Sequence, residues 1–486
     1  MKHHFAWTRS VQSLVAPVAC ALLGLTACSE PKGPDVLVIV VDTLRADRVG
    51  AYGAARDTTP KLDALAQDGI LFEETCAQAP RTWQSFVSIL TGLYPPRHGV
   101  RFIHDEPLAA GIAHLGSILG EAGYDTASFD PIPFVRGMTG GRGFGLYLDA
   151  KAAGRWVQDI ELAGAVEKWL GQERDRPAFA FVRLHGPHWP YKSDPEILAS
   201  FGEEEYAQDS HRFLKGDYGI DVVEPGQGFT LTDAEAYRER LFDMNYTERE
   251  LDHMSLHYDA SVRTTDAVVG HVLDWLRETG RLDSTLVVIT SDHGESLGER
   301  GYLQHGPRVD YTVMRVPLIV RFPADAAHGR PGLRVGQLVR SVDIAPTVLE
   351  MLGIEPPARF DGVSLLSVVD DGAELGLTCY GESGREFMGV DPELALPGIA
   401  GKQRMLRSQR WKIIYRHDGK TPIFRLYDLV EDPHEERDVG AEHPEELAEL
   451  KAELESLMAG DQGSDEAETP LTPEQIEQLR TLGYVQ

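Results

Sequence analysis

The chain has 486 residues and a formal charge of −29 at neutral pH, from 47 Lys and Arg against 76 Asp and Glu. That charge repels a phosphate backbone and excludes general nucleic-acid binding. A composition of 42% apolar and 25% charged residues excludes both a disordered chain and a multi-spanning membrane protein. An anionic small substrate stays open, because a local pocket of metal and arginine outweighs a diffuse negative surface.

In chain order, Lys2 and Arg9 precede an uncharged stretch from Val11 to Cys28, the pattern of an export signal. Leu25-Thr26-Ala27-Cys28 resembles the lipobox of bacterial lipoproteins. The resemblance implies a signal peptide over residues 1–27, lipidation of Cys28, a tether over 28–34 and a place in the cell envelope, periplasmic or on the outer membrane. An ordinary cleaved signal or a single anchor helix is the competing reading. Cys76 and Cys379 then remain, as one disulfide or as two packed thiols.

Asp35 to Asp42, read DVLVIVVD, is a continuous β-branched run ending in a carboxylate, as expected of a parallel strand covered on both faces. Thr58-Thr59-Pro60 opens a helix that Gly69 ends. Further buried strands are expected over Ala178 to Leu184, over Thr285 to Thr290 running into Asp292, and over Val316 to Phe322. Helical patterns cover Ala163 to Gly171 and Asp259 to Gly280. Alternating strands and helices predict an α/β fold, a large and mostly parallel sheet flanked by helices on both faces. Ligands of such sheets sit at the carboxyl ends of the strands. Asp42, His185, His188, Asp292 and His293 all lie at or just past such ends, so they are expected to converge.

Residues 191–251 carry acidic runs and no clean strand, and read as an insertion over the site. Beyond a catalytic domain of residues 35–369, short strands at Trp411 to Tyr415 and Phe424 to Leu429 and an acidic helix from Pro444 to Met458 predict a smaller antiparallel α+β subdomain over 370–459. A tail follows over 460–486.

VDTLRADRVGAYG at Val41, SFVSILTGLYPPRHGV at Ser85, LHGPHWPY at Leu184, TSDHGESLGERG at Thr290 and RVPLIVRFP at Arg315 stand in order along the chain. SVDIAPTVLEMLGI at Ser341, DGVSLL at Asp361, RWKIIY at Arg410 and LYDLVEDPHEERD at Leu426 complete the series. Together they resemble the sulfatase family of the alkaline phosphatase superfamily. The chemistry stands beside the resemblance. Carboxylates leaving buried strands are costly without a cation between them, so Asp42 and Asp292 with His293 suggest one divalent metal, Mg, Mn, Zn or Ca, with the mixed ligands leaning away from Ca.

Sulfatases carry their nucleophile in a C/S-x-P-x-R motif, ten residues before the Gly of a following Thr-Gly, and oxidise it to formylglycine. Counting back from Gly92 lands on Thr82, in Thr82-Trp83-Gln84-Ser85-Phe86. The cysteine, the proline and the arginine are all absent. A threonine already carries a methyl on the carbon that would become the aldehyde, so no formylglycine is expected and its hydroxyl would attack directly. That arrangement resembles the threonine of phosphodiesterase and phosphotransferase relatives, phosphoethanolamine- or phosphoglycerol-type among them. A plain N-cap is the structural alternative for Thr82.

The resemblance further implies His188 and His305 as contacts to the leaving group or the transferred anion, and Thr82 as a fourth metal ligand. Arg45 and Arg101 are candidate anion clamps, and His185 and Ser85 weaker supporting residues. The expected substrate is a sulfated or phosphorylated sugar, lipid or small molecule, cleaved by in-line attack of Thr82. A catalytically silent glycan-binding lipoprotein is the alternative from a different class.

Overall fold

The first strand shows why the sheet is buried on both sides. In the computed structural model, which describes residues 33–101, 107–206, 220–222, 229–231, 246–328, 330–383, 402–417 and 421–459, β1 spans Asp35–Val41. Leu37, Ile39 and Val41 enter one hydrophobic core and Val36, Val38 and Val40 another. Each such side chain contributes about 1.5–3 kcal/mol when fully buried, so the unbroken run stabilises a central position in the sheet.

Seven more strands complete that sheet: β2 (Ile70–Cys76), β3 (Asp125–Phe129), β4 (Leu146–Leu148), β5 (Ala178–Leu184), β6 (Thr285–Ser291), β7 (Arg315–Arg321) and β8 (Leu333–Arg340). Their spatial order is β8-β2-β7-β6-β1-β5-β3-β4. All pairings are parallel except the two that β7 makes, with β2 and β6. The sheet is therefore mixed, and β7 is antiparallel for a local reason. The chain leaves β6 at its carboxyl end, stays on that edge through residues 292–314, and returns without a crossover helix. The whole loop that carries His293, Glu295 and His305 thus lies on the ligand edge of the sheet.

Helix α1 (Pro60–Asp68), α2 (Thr82–Thr91), α3 (Asp159–Leu170) and the 31-residue α4 (Glu248–Glu278) flank the sheet. Helix α4 begins well before the expected Asp259. A capping box at Thr247 and Glu250 starts it, and its charged first turns hid its apolar stripe. Residues 248–251 of the segment read as an insertion over 191–251 thus belong to α4. The described part of that segment holds a short helix (Pro195–Ser200), one 3-10 turn (Glu203–Tyr206) and two three-residue strands, Ile220–Val222 and Phe229–Leu231.

The C-terminal part is an antiparallel meander, β9 (Cys379–Glu382), β10 (Gln403–Arg407), β11 (Trp411–His417) and β12 (Pro422–Asp428), with α5 (Pro444–Ala459) against it. It shares a core with the main sheet, since Cys76, Val313, Met314 and Leu338 pack with Cys379, Met405, Ile414 and Tyr427. Cys76 and Cys379 meet there as buried free thiols, the Cys379 Sγ 3.8 Å from the Cys76 carbonyl oxygen. The signal segment with Cys28 and the tail over 460–486 lie outside the described residues. No helix among the described residues is long and apolar enough to cross a membrane.

Candidate metal centre

Strand register brings the site together. Val41 stands beside Ser291 on one side and Leu184 on the other, so the next residues, Asp42, Asp292 and His185, emerge side by side. Asp42, Asp292 and His293 are all fully buried, and one ligand atom from each lies within 4.8 Å of the others. The His293 Nε2 is 3.4 Å from Asp292 Oδ2 and 3.8 Å from Asp42 Oδ1. Thr82 opens α2 one residue after its N-cap, Arg81, and its Oγ1 is 3.3 Å from the same Nε2.

Each carboxylate is held by one oxygen and offers the other. Asp42 Oδ2 accepts from Arg183. Asp292 Oδ1 accepts the backbone N–H of Thr43 at 3.1 Å and of His293 at 2.9 Å. Asp42 Oδ1 and Asp292 Oδ2 are buried without any hydrogen-bond partner, an arrangement that is costly unless a cation lies between them. His293 donates Nδ1–H to the Gly294 carbonyl at 2.9 Å, which leaves the Nε2 lone pair aimed at the carboxylates. Burial pushes the Asp292 carboxyl far up, and the neighbouring Asp42 charge adds to it. Burial would raise Asp42 too, but the Arg183 guanidinium and the imidazoles of His188, His293 and His185 together outweigh it and hold that carboxyl well below its usual range. Burial also pushes the His293 imidazole down to about 4. Arg183 thus takes up one oxygen of Asp42, and a divalent ion fits between the two carboxylate oxygens that are left over.

The turn after Asp42 is strained to make this happen. Thr43 has φ of 58°, a left-handed conformation that costs a β-branched residue about 1–3 kcal/mol. Asp292 holds its N–H, the Tyr258 hydroxyl donates to its carbonyl at 2.6 Å, and Ser291 Oγ accepts the next N–H at 3.0 Å. Three fixed partners over-determine the turn.

A line of imidazoles borders the cluster. His185 stacks on His188 with centroids 4.7 Å apart, His188 meets His305 edge-on at 5.1 Å, and His305 lies 4.3 Å from His293. His188 donates Nδ1–H to the Trp189 carbonyl at 2.6 Å, and His305 Nδ1 is 3.1 Å from Glu295 Oε1. Burial pushes His185, His188 and His305 down. The Ser85 hydroxyl donates to the Asp292 carbonyl at 2.5 Å, tying α2 to the end of β6.

Two expected anion clamps are committed elsewhere. Arg45 is buried against Asp47 and Glu299 and donates to the Glu295 carbonyl at 3.0 Å. Arg101 forms a buried two-point ion pair with Glu382 on β9. Both brace the loops around the site. Sequence reasoning missed Arg183, which also donates to Asp130 at 3.1 Å. A charged residue inside the apolar run AFAFVRL was the available signal, since a buried guanidinium demands carboxylate partners. Arg81 was missed as well. It lies against the turn after His305, where Gly306 has φ of +114° and an added Cβ would come within 2.5 Å of the Arg81 guanidinium.

Solved structures with this architecture include one bound to D-glucosamine-2-N,6-O-disulfate, at a TM-score of 0.71 and 20% identity over 90% of this chain and 100% of that one. A phosphonate monoester hydrolase of Agrobacterium radiobacter superposes at 0.68, with 23% identity over 91% of this chain and 99% of that one. These establish a sulfatase-like α/β fold. The sulfatase family model matches residues 34–354, and the C-terminal model of N-sulphoglucosamine sulphohydrolase matches 298–462. The chain belongs to the sulfatase family, within the alkaline phosphatase superfamily. Among curated relatives, arylsulfatase K of Xenopus laevis is 26% identical over 62% of this chain and 55% of its own length. An N-acetylglucosamine-6-O-sulfatase of Bacteroides thetaiotaomicron is 23% identical over 94% of this chain and 93% of its own. The chain thus spans only about half the length of the arylsulfatase K relatives it matches.

Proposed function

We propose that this protein is a metal-dependent hydrolase of sulfate or phosphate esters, in which Thr82 Oγ1 attacks the sulfur or phosphorus in line. The observation that carries it is the convergence of Thr82 with His293 and the two unpartnered carboxylate oxygens of Asp42 and Asp292. Asp42, Asp292, His293 and Thr82 would hold one divalent cation, which would supply positive charge to favour the Thr82 alkoxide and the transferring anion. Thr82 stands in the first turn of α2, where N–H groups point at an incoming anion. Arg81 beside the His305–Gly306 turn takes the clamping role first expected of Arg45 and Arg101. His305, with Glu295 at its Nδ1 and His188 edge-on against its ring, is the better placed of the two histidines to take the Thr82 proton and pass it to the leaving oxygen, after which water cleaves the Thr82 ester and restores the hydroxyl.

A phosphate-type substrate is favoured over sulfate by Thr82 itself, because a hydroxyl cannot reach the aldehyde hydrate that expels sulfate from formylglycine. The fold shared with a phosphonate monoester hydrolase supports that choice. The likeness to a structure holding a disulfated glucosamine supports a sugar as the alcohol. Export and lipidation at Cys28 belong to the same reading and rest on the Leu25–Cys28 sequence. Metal-replete protein, assayed with aryl sulfate, aryl phosphate and phosphonate esters with and without chelator, tests it. Chelator-sensitive turnover of the phosphorus esters, with a phosphoryl adduct on Thr82 by intact mass, is expected. Tight glycan binding with no turnover of any ester would leave only the silent lipoprotein.

A further inference from the structure

A second constellation of metal-ligating side chains lies away from the strand ends. His253 and His257 are one helical turn apart on α4 and therefore share a face. The 3-10 turn Glu203–Tyr206 brings Glu203 onto that face. Glu203 Oε2 lies 2.6 Å from His253 Nε2 and 3.1 Å from His257 Nε2, and the two ring nitrogens are 3.2 Å apart. A tetrahedral zinc with bonds of about 2.0–2.1 Å sets its ligand atoms about 3.3 Å from one another. Two of the three separations match that figure, and the third reaches it by a small movement of the carboxylate. Two imidazoles and one carboxylate with an open fourth position is also a ligand set that zinc uses.

The position of the cradle does not depend on the three groups alone. The Tyr206 ring stacks on His253 with centroids 4.3 Å apart, and its hydroxyl bonds Asp252. Arg249 covers Tyr206 and donates to the Glu205 carbonyl at 2.5 Å. The turn is thus seated on α4 before any ion binds.

We propose that Glu203, His253 and His257 bind a transition-metal cation of the zinc class, separate from the ion of the strand-end cluster. It fastens the Glu203–Tyr206 turn to the helix whose next residue, Tyr258, holds the strained Thr43 turn. The proposal stands independently of the catalytic reading.

Full-length protein carrying Asp292→Asn, stripped of metal, is titrated with Zn²⁺ and with Co²⁺. One equivalent is expected to bind, with the visible Co²⁺ bands of four-coordinate nitrogen and oxygen ligation. His253→Gln and His257→Gln in that background should each weaken binding at least about 100-fold, with unchanged circular dichroism. A stoichiometry unaffected by either substitution overturns the site. Because either variant can fold poorly, crystals of the unmutated protein soaked in Zn²⁺ provide a second measurement. An anomalous peak among the three side chains is expected, and its absence there overturns the proposal.

Discussion

The two clusters of histidine and carboxylate are built on opposite plans. At the strand ends, residues 42, 82, 292 and 293 come from three separate stretches of chain, yet sheet register and backbone N–H groups fix them. The second cluster draws on residues 203, 253 and 257. A short turn and one helix face hold it, and its Glu203 side chain is 32% exposed. The first is organised by the fold, including a strained Thr43. The second depends on a partly exposed turn docked on a helix. Such a difference separates a site that must act on a transition state from one that only has to grip.

Thr82→Ala is the most severe test of the strand-end plan. The hydroxyl contributes one contact to His293 and little packing, so the melting temperature should change little. Turnover of phosphorus esters should fall on the order of 10⁴-fold or more, as expected when a nucleophile is removed. Wild-type turnover in the Ala protein would remove Thr82 from the mechanism and leave the cluster as a binding site.

Arg183→Met comes next. It strands Asp42 and Asp130, both buried, without their cation. Breaking such a pair costs about 3–5 kcal/mol, which a denaturant titration reads directly. Added divalent metal should restore part of that loss, because it neutralises Asp42. The second cluster should keep its metal affinity in any variant that folds.

The strand-end plan was legible in the sequence because its chemistry sits directly after an apolar run. DVLVIVVD and TLVVITSDH announce buried parallel strands, and parallel strands deliver the residues at their carboxyl ends to one edge of the sheet. The partners that join distant side chains were not legible. Nothing in the spacing showed that Arg45 and Arg101 were committed to Glu299 and Glu382, since those pairings join residues 254 and 281 positions apart. The antiparallel course of β7 depended on a loop that turns back without a helix, which composition alone does not reveal. The His-x-x-x-His spacing at 253 and 257 was visible, but it fell outside a helix read as starting at Asp259. The Thr-x-x-Glu capping box at 247 was the signal that would have moved that start.

Glu382 sharpens the contrast from a third place, where the protein supplies all the positive charge itself. Burial raises this carboxyl, but Lys402 at 2.7 Å and Arg101 reverse that and hold it at about 2. Its folded value lies below its unfolded one, so its stabilisation is complete above about 4.5 and is lost as pH falls toward 2. The shift corresponds to roughly 3 kcal/mol. Acid unfolding of the wild type should steepen in that window, and Glu382→Gln should flatten it. An unchanged acid profile would mean that the trio holds together through packing alone.

The smallest effect should come from Thr247→Ala. Its hydroxyl accepts the Glu250 N–H at 3.2 Å and Glu250 accepts the Thr247 N–H at 2.8 Å, an exposed box that starts α4. Losing a cap costs about 1 kcal/mol, and the first turns should fray before the buried middle of the helix. His253 and His257 lie within three turns of that end, while Tyr258 is fully buried against the Thr43 turn. The variant should therefore loosen Zn²⁺ at Glu203, His253 and His257 by a few fold and leave ester turnover unchanged. Equal losses at both places would mean that α4 transmits fraying into the strand ends, and that the two clusters are one mechanical unit.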